Sequence, residues 1–308
     1  MTLQAEVETH DDFAQEWEAW HRANEKKRAD PHGFLAVTGL FWLTDEPTRV
    51  PGLPGLWTTG VDGPVVELGP DEALRFGETP ISGTHRFGPI AERDGITVGF
   101  DEGVIEIAKR GGRDILRPRR ADFPFLRSYS GTSAFTADPK WRIPARFVRF
   151  IAPRAIEVGA AVDSLAHVYD SPGYVEFEVD GETFRLLAFP GYAAGSLFVL
   201  FTDATSGVTT YKANRTVTIE VSDESDETVI DFNRAVNLPC AYTDFATCPL
   251  PPAENHLRIE VAAGEKTPTA RVEGVFSDAG IVPAASPPSE RAQRPLWSLS
   301  ERSAPSGR

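Results

Sequence analysis

The chain has 308 residues, 41% of them hydrophobic, and 45 Asp+Glu against 31 Lys+Arg leave a formal charge of −14. A surface this acidic repels phosphate backbones, so neither nucleic acid nor an anionic membrane is an expected partner. No apolar run approaches the roughly 20 residues of a transmembrane helix, and the N-terminal Glu6, Glu8, Asp11 and Asp12 do not resemble a secretory signal, so a cytoplasmic location is expected.

Phe13, Trp17 and Trp20 recur at the i, i+4, i+7 spacing of one helix face. The spacing predicts an amphipathic helix over residues 11–28, with Asp11 and Asp12 as possible caps and the aromatic stripe docked on a sheet. Lys26, Lys27 and Arg28 then occupy the end that the helix dipole makes favourable for cations. Residues 1–30 read as this helix packed on the body, 31–282 as a single β-rich domain and 283–308 as a flexible Pro/Ser/Arg-rich tail too polar to offset its ordering entropy.

From Gly33 onward, short runs of β-branched and aromatic residues alternate with Gly, Pro and Asp turns. Val65-Val66-Glu67-Leu68, Val104-Ile105-Glu106-Ile107 and Phe147-Val148-Arg149-Phe150-Ile151 are strand-like. The run Lys109, Arg110, Arg113, Arg117, Arg119 and Arg120 reads as a solvated basic hairpin or as a receiver for an anion. Tyr174-Val175-Glu176-Phe177-Glu178-Val179, the turn Asp180-Gly181 and the run from Thr183 to Phe189 form the clearest hairpin, because Asp-Gly suits the positive dihedrals of a type I′ turn. A second hairpin is expected from Leu197 to Phe201 through Asp203-Ala204-Thr205-Ser206-Gly207 into Val208 to Tyr211, followed by strands at 216–221 and 228–231 around an exposed acidic tip. One helix and many short strands predict a mainly β fold, an antiparallel sandwich or distorted barrel.

No phosphate-binding glycine loop, dinucleotide fingerprint, nucleophile elbow or zinc-protease motif occurs. The six histidines, His10, His21, His32, His85, His167 and His256, lack metal-ligand spacing, so no metal and no cofactor are expected. Chemistry-bearing residues concentrate instead in residues 203–266. In Val229-Ile230-Asp231-Phe232-Asn233 the alternation puts Asp231 and Asn233 on one face, and the proline-rich stretch that follows reads as a long ordered loop.

Four readings of Cys240 and Cys248 remain open. They could close a disulfide contributing about 2.6 kcal/mol, ligate zinc with His256, supply a nucleophile at Cys240 with His85, His167 or His256 as base, or fill space as small buried hydrophobes. Arg215 and Asp231 could be a strand-tying ion pair or could orient a substrate. Glu265 and Lys266, being adjacent, are expected on opposite faces of a strand.

Asp231-Phe232-Asn233-Arg234-Ala235, Pro239-Cys240-Ala241-Tyr242-Thr243, Cys248-Pro249-Leu250-Pro251-Pro252 and Ala263-Gly264-Glu265-Lys266 resemble the C-terminal signature of the DUF1684 family, an uncharacterised bacterial and archaeal group. The resemblance includes Gly33 to Leu43, Asp203 to Gly207 and Tyr211 to Arg215, and so spans nearly all of residues 11–267. It departs at Asn237-Leu238-Pro239, where a second proline is usual, and at His256, where arginine is usual. The resemblance implies a common fold and site.

The residues themselves point to a cofactor-independent enzyme, a hydrolase or lyase of a small polar molecule, acting in a pocket under the loop between Cys240 and Cys248. Asp231 would be general base or orienter, Cys240 a nucleophile or site-lining thiol, and Tyr211, Arg215, Asn233, Asn255 and Glu265 the substrate contacts. The alternative is a non-catalytic small-molecule-binding β module using the same groups.

Overall fold

The computed structural model describes residues 10–284, apart from Glu102, Ser164 and Tyr192. The fold is mainly β, with several antiparallel sheets and one N-terminal helix, α1 (His10–Arg28). Asp11 and Asp12 fall within the helix rather than before its first residue. The aromatic stripe meets a turn rather than a sheet face: the Trp17 indole donates to the Asn233 carbonyl (2.7 Å), within the 3₁₀ turn Phe232–Arg234.

The first half supplies β1 (Leu40–Trp42), β2 (Thr48–Arg49), β3 (Leu56–Thr58), β4 (Val65–Glu67), β5 (Leu74–Phe76), β6 (Thr79–Ile81), β7 (Thr84–Arg86), β8 (Gly95–Phe100), β9 (Gly103–Arg110) and β10 (Arg113–Arg119). The chain then passes through the short helix α2 (Pro124–Ser128). The second half supplies β11 (Arg142–Gly159), β12 (Ala166–Val179), β13 (Glu182–Pro190), β14 (Ser196–Phe201), β15 (Arg215–Glu220) and β16 (Glu227–Asp231), and a last hairpin is β17 (Gly274–Ser277) and β18 (Gly280–Pro283). Strands β2, β3, β4 and β7 form a four-stranded sheet, and the eight-stranded sheet runs β17-β18-β1-β10-β9-β8-β5-β6. Trp57, Val66, Val98, Ile105 and Ile107 pack in one core shared by these two sheets. The six-stranded sheet, β15-β14-β13-β12-β11-β16, nearly closes on itself around a second core that includes Phe177, Leu186, Val199, Phe201, Ile230 and Phe232. Pro283 ends β18, so it belongs to the sheet; the expected tail beyond it, with Leu296 and Trp297, lies outside the described residues from 285 onward.

The Asp-Gly hairpin forms as its sequence requires, with Asp180 at φ 51° and Gly181 at φ 80° closing β12 on β13. The second expected hairpin does not form. β14 pairs with β15, from Ser196 opposite Glu220 to Phe201 opposite Arg215, and Val208 to Tyr211 is not a strand. The reason is Asp203: its carboxylate turns inward and accepts from Thr205 N (3.2 Å), Thr205 Oγ1 (2.8 Å) and Val261 N (2.8 Å), so the chain after β14 winds into a tight turn anchored at its base instead of pairing back as a strand. β16 likewise stops at Asp231, whose Oδ1 accepts from Asn233 N (3.0 Å) and draws the chain into a 3₁₀ turn. The shared face expected for Asp231 and Asn233 is therefore not made by strand alternation.

Four of the six cations in the basic run, Lys109, Arg110, Arg117 and Arg119, are met by carboxylates of the β9–β10 hairpin itself. Glu106 lies among Arg110 (3.2 Å), Arg117 (2.6 Å) and Arg119, while Lys109 pairs with Asp114 (3.3 Å). Burial alone would push the Glu106 carboxyl up, but the two guanidiniums of Arg117 and Arg119 hold it down at about 2.

Candidate functional site

The cations expected at the solvated end of α1 divide: Lys26 and Lys27 are exposed, whereas Arg28 is buried. Positions 21, 24, 25 and 28 share one helix face by their spacing, and in this second half of the helix that face is polar. Arg28 donates to both Glu25 Oε1 and Glu265 Oε1, the latter at 2.5 Å across 237 residues of sequence. Its guanidinium also reaches Thr132 Oγ1 (2.9 Å) and lies 5.1 Å over the Tyr242 ring. Around this ion triad Tyr129 donates to Glu25 Oε2 (2.5 Å), and the Thr132 and Tyr242 hydroxyls are 2.7 Å apart.

Glu265 is held by backbone as much as by side chains. It is not on a strand: Phe135 N donates to Gly264 O (2.9 Å), Glu265 N to Ala235 O (2.9 Å) and Lys266 N to Ser133 O (2.8 Å), so residues 264–266 are clasped from both sides. Gly264 makes this possible, since φ is +72° and a Cβ there would come within 2.5 Å of Ala235 O. The side chain of Glu265 is 1% exposed and its second oxygen accepts from Asn237 N (2.7 Å). Burial pushes this carboxyl up, and Arg28 pulls it back only in part. Burial also raises the Tyr129 hydroxyl to about 12, leaving it a proton donor throughout the ordinary pH range.

Three atoms beside the triad, His21 Nδ1, Asn24 Nδ2 and Asn237 Oδ1, are buried without a hydrogen-bond partner. The His21 ring is stacked on Trp17 at 4.9 Å and 7°. One ring nitrogen of His21 and one oxygen each of Glu25 and Glu265 lie within 4.8 Å of one another. That donor set could hold a cation, but Arg28 already sits on both carboxylates, and an incoming metal ion would meet its fixed positive charge. The arrangement is better suited to holding and moving protons.

The residues singled out from sequence fall into separate groups around this centre. Arg215 does not meet Asp231. It pairs with Asp203 (3.1 Å), with both side chains at most 1% exposed, and donates to the carbonyls of Val261 (3.1 Å) and Ala263. It thus braces the backbone leading into Glu265, which is a structural use of the charge. Asp231 is half-buried, bound to Asn233 Nδ2 (2.9 Å) and 3.5 Å from Arg234 Nε. Asn233 in turn fastens the Asp138 backbone through both amide atoms (2.9 and 3.0 Å). Asn255 uses its amide on Leu187 N (2.7 Å), Leu187 O (2.9 Å) and Leu200 O (2.7 Å), tying β13 to β14. Tyr211 joins the cysteines, donating to Cys240 O (2.8 Å). The three histidines considered as bases for Cys240 have other neighbours: His167 Nε2 pairs with Thr247 O (2.7 Å), His256 Nδ1 with Thr202 (3.0 Å), and His85 packs edge-on to Phe87.

Of the site residues expected from sequence, only Glu265 is in the triad, and His21, Glu25, Arg28, Tyr129 and Tyr242 were missed. The available signal was a helix whose inward face changes from aromatic at Phe13 and Trp17 to polar at His21, Glu25 and Arg28. A groove of about 410 Å³ runs elsewhere on the surface, lined by Thr202, Lys212, Ala213, the stretch from Leu250 to Ala253, and His256.

Residues 127–266 match the family described as protein of unknown function (DUF1684). The matched stretch is narrower than residues 11–267 and covers the six-stranded sheet, the cysteine loop and Glu265. No curated protein matches the chain. An uncharacterized protein of Haloarcula marismortui, solved in solution by NMR, is 34% identical over 46% of this chain and 80% of that one, with a TM-score of 0.40. With these matches and the signature stretches around Asp231, Cys240, Cys248 and Glu265, the chain belongs to the DUF1684 family.

Proposed function

We propose that the protein is an enzyme of the hydrolase or lyase type that transfers a proton to or from a small polar molecule where His21, Glu25 and Glu265 converge. The observation that carries this reading is the His21 ring, whose Nδ1 is buried without a hydrogen-bond partner and one of whose nitrogens lies within 4.8 Å of a Glu25 and a Glu265 carboxylate oxygen. Leaving such a nitrogen unpaired costs on the order of 1–3 kcal/mol, a cost that a bound substrate would offset. His21 and Glu25 are half-buried and provide the open side, while Glu265 and Arg28 form the closed back. In this reading Glu265, its carboxyl raised by burial, exchanges the proton, Arg28 balances the charge of Glu25, and the Tyr129 hydroxyl orients Glu25.

The test is turnover of p-nitrophenyl esters and p-nitrophenyl phosphate by the full chain and by His21→Asn and Glu25→Gln. A loss of about 100-fold or more in kcat/KM at an unchanged thermal midpoint is expected for His21→Asn; undiminished turnover in that variant sinks the reading.

A second reading, a binding module without turnover, is favoured by the groove near the cysteine loop. There the exposed Lys212 and His256 flank the apolar Leu250, Pro251 and Pro252, a combination suited to an amphipathic anion. Binding of 8-anilinonaphthalene-1-sulfonate that weakens in Lys212→Ala would support it.

A further inference from the structure

We propose that Cys240 and Cys248 form a buried reactive dithiol that closes to an intramolecular disulfide when the protein meets hydrogen peroxide. Both cysteines are free and buried, 2% and 8% exposed, in a small cluster with Ala246, Tyr211 and Leu238. The Cys240 amide donates to Cys248 Sγ (3.3 Å), so the second sulfur is brought back onto the first cysteine across the loop. Cys240 Sγ itself lies 3.7 Å from Asn214 Oδ1.

The loop is fastened at several points. Tyr211 and Arg271 both donate to Cys240 O (2.8 and 3.1 Å), His167 binds Thr247 O (2.7 Å), and Asn214 Nδ2 donates to Pro249 O (2.7 Å). Sulfurs held together in this way are poised for exchange chemistry, because the entropy of closing the loop is already lost in the fold.

The two thiols are also unlike. A hydrogen bond from Cys248, together with Tyr211 and Arg271, moves the Cys240 thiol below its usual value against the opposing effect of burial. Burial pushes Cys248 well above its own. Cys240 is therefore the attacking sulfur and Cys248 the resolving one. The groove runs beside the loop: Ala213 and Leu250 in its walls are the chain neighbours of Asn214 and Pro249.

The chemistry balances without a further reactant. The Cys240 thiolate attacks one peroxide oxygen, the S–O bond forms as the O–O bond breaks, and the departing hydroxide leaves as water with the proton released from the Cys240 thiol. Cys248 then attacks the sulfenic sulfur, the S–S bond forms as the S–O bond breaks, and the hydroxyl leaves as a second water with the Cys248 proton. The two thiols together lose two electrons and the peroxide gains two.

The experiment treats the folded full-length chain with hydrogen peroxide, alkylates it with iodoacetamide in denaturant and measures the intact mass. The expected result is loss of both alkylatable thiols, a mass lower by two hydrogens, one crosslinked peptide joining Cys240 to Cys248, and full reversal by dithiothreitol. In Cys248→Ser the reaction should stop at a sulfenic acid on Cys240 that dimedone traps, and Cys240→Ser should give no adduct. Two thiols still alkylatable after peroxide, a disulfide only between chains, or sulfinic acid at Cys240 of the wild-type chain would overturn the proposal. Because the wild-type measurement needs no variant, it decides the matter even if a serine substitution fails to fold. His21→Asn should oxidise as the wild type does, which separates this proposal from the acid–base reading.

Discussion

The two halves of the molecule bury their apolar residues alike and their charges differently. In the sheets of the first half, Trp57 to Ile107 form an apolar core, the Glu106 side chain on the β9–β10 hairpin is 12% exposed, and the buried carboxylate of Asp114 is met by Lys109, which is itself 27% exposed. Around the six-stranded sheet, two cations are carried inside: Arg215 against Asp203 and Arg28 against Glu265, with side chains between 0% and 4% exposed. Taking an ion pair out of water costs several kcal/mol per ion before any attraction is regained, and apolar packing of equal volume is often as stable. A fold that needs only stability can follow the first half. The second half keeps its buried charges around Glu265, close to the His21 ring, and that contrast is what favours the proposed site over the basic hairpin.

The contrast can be broken most directly at Arg215. Replacing it by Met leaves Asp203 buried and the Val261 and Ala263 carbonyls without their donor, and the expected loss is about 3–5 kcal/mol, read from urea or guanidinium midpoints. A loss below about 1 kcal/mol would show that the second half does not depend on its buried ions.

In the first half the corresponding lesion is apolar. Ile107→Ala removes a fully buried side chain and should cost about 2–4 kcal/mol through lost transfer energy and a residual cavity. Its cost should vary little between pH 5 and 8, because the residue is removed from among apolar side chains.

Acid sharpens the comparison. The folded Glu106 carboxyl is depressed to about 2 from 4.5, so its stabilisation is complete above the unfolded value and is lost as pH falls from there towards 2. A shift of that size corresponds to at most about 3 kcal/mol, reduced to about 1–2 kcal/mol where water screens the hairpin. Denaturation midpoints between pH 6 and 2 should fall less steeply in Glu106→Gln. Glu265 has the opposite sign: its raised carboxyl makes the folded state bind the extra proton, so it contributes a destabilisation that grows as pH rises past the ordinary carboxylate range.

The smallest effect is expected at Asp231. Asn there can still accept from Asn233, and the Arg234 partner is 36% exposed, so Asp231→Asn should cost under about 1 kcal/mol in thermal unfolding. A cost above about 2 kcal/mol would extend the demanding polar network to the seat of the helix.

Local pattern was enough for the helix and for the β12–β13 hairpin, because period-two alternation closed by Asp180-Gly181 leaves one low-energy answer over a few residues. It was enough to expect strands at 216–221 and 228–231, and the signature stretches carried the family. It failed where a polar side chain turned back on the chain, since Asp203 looks in sequence like a turn residue and Asp231 like a strand residue, and only their partners, Val261 and Arg215 for one and Asn233 for the other, show what they hold. Candidate residues were legible as types and not as groups. Arg28 and Glu265 are 237 positions apart, and no spacing rule links them. Which cation answers which carboxylate is decided by the long-range closure of the sheet and the seating of α1, because burial makes an unpaired charge too costly and the fold must bring its partner from wherever the chain passes.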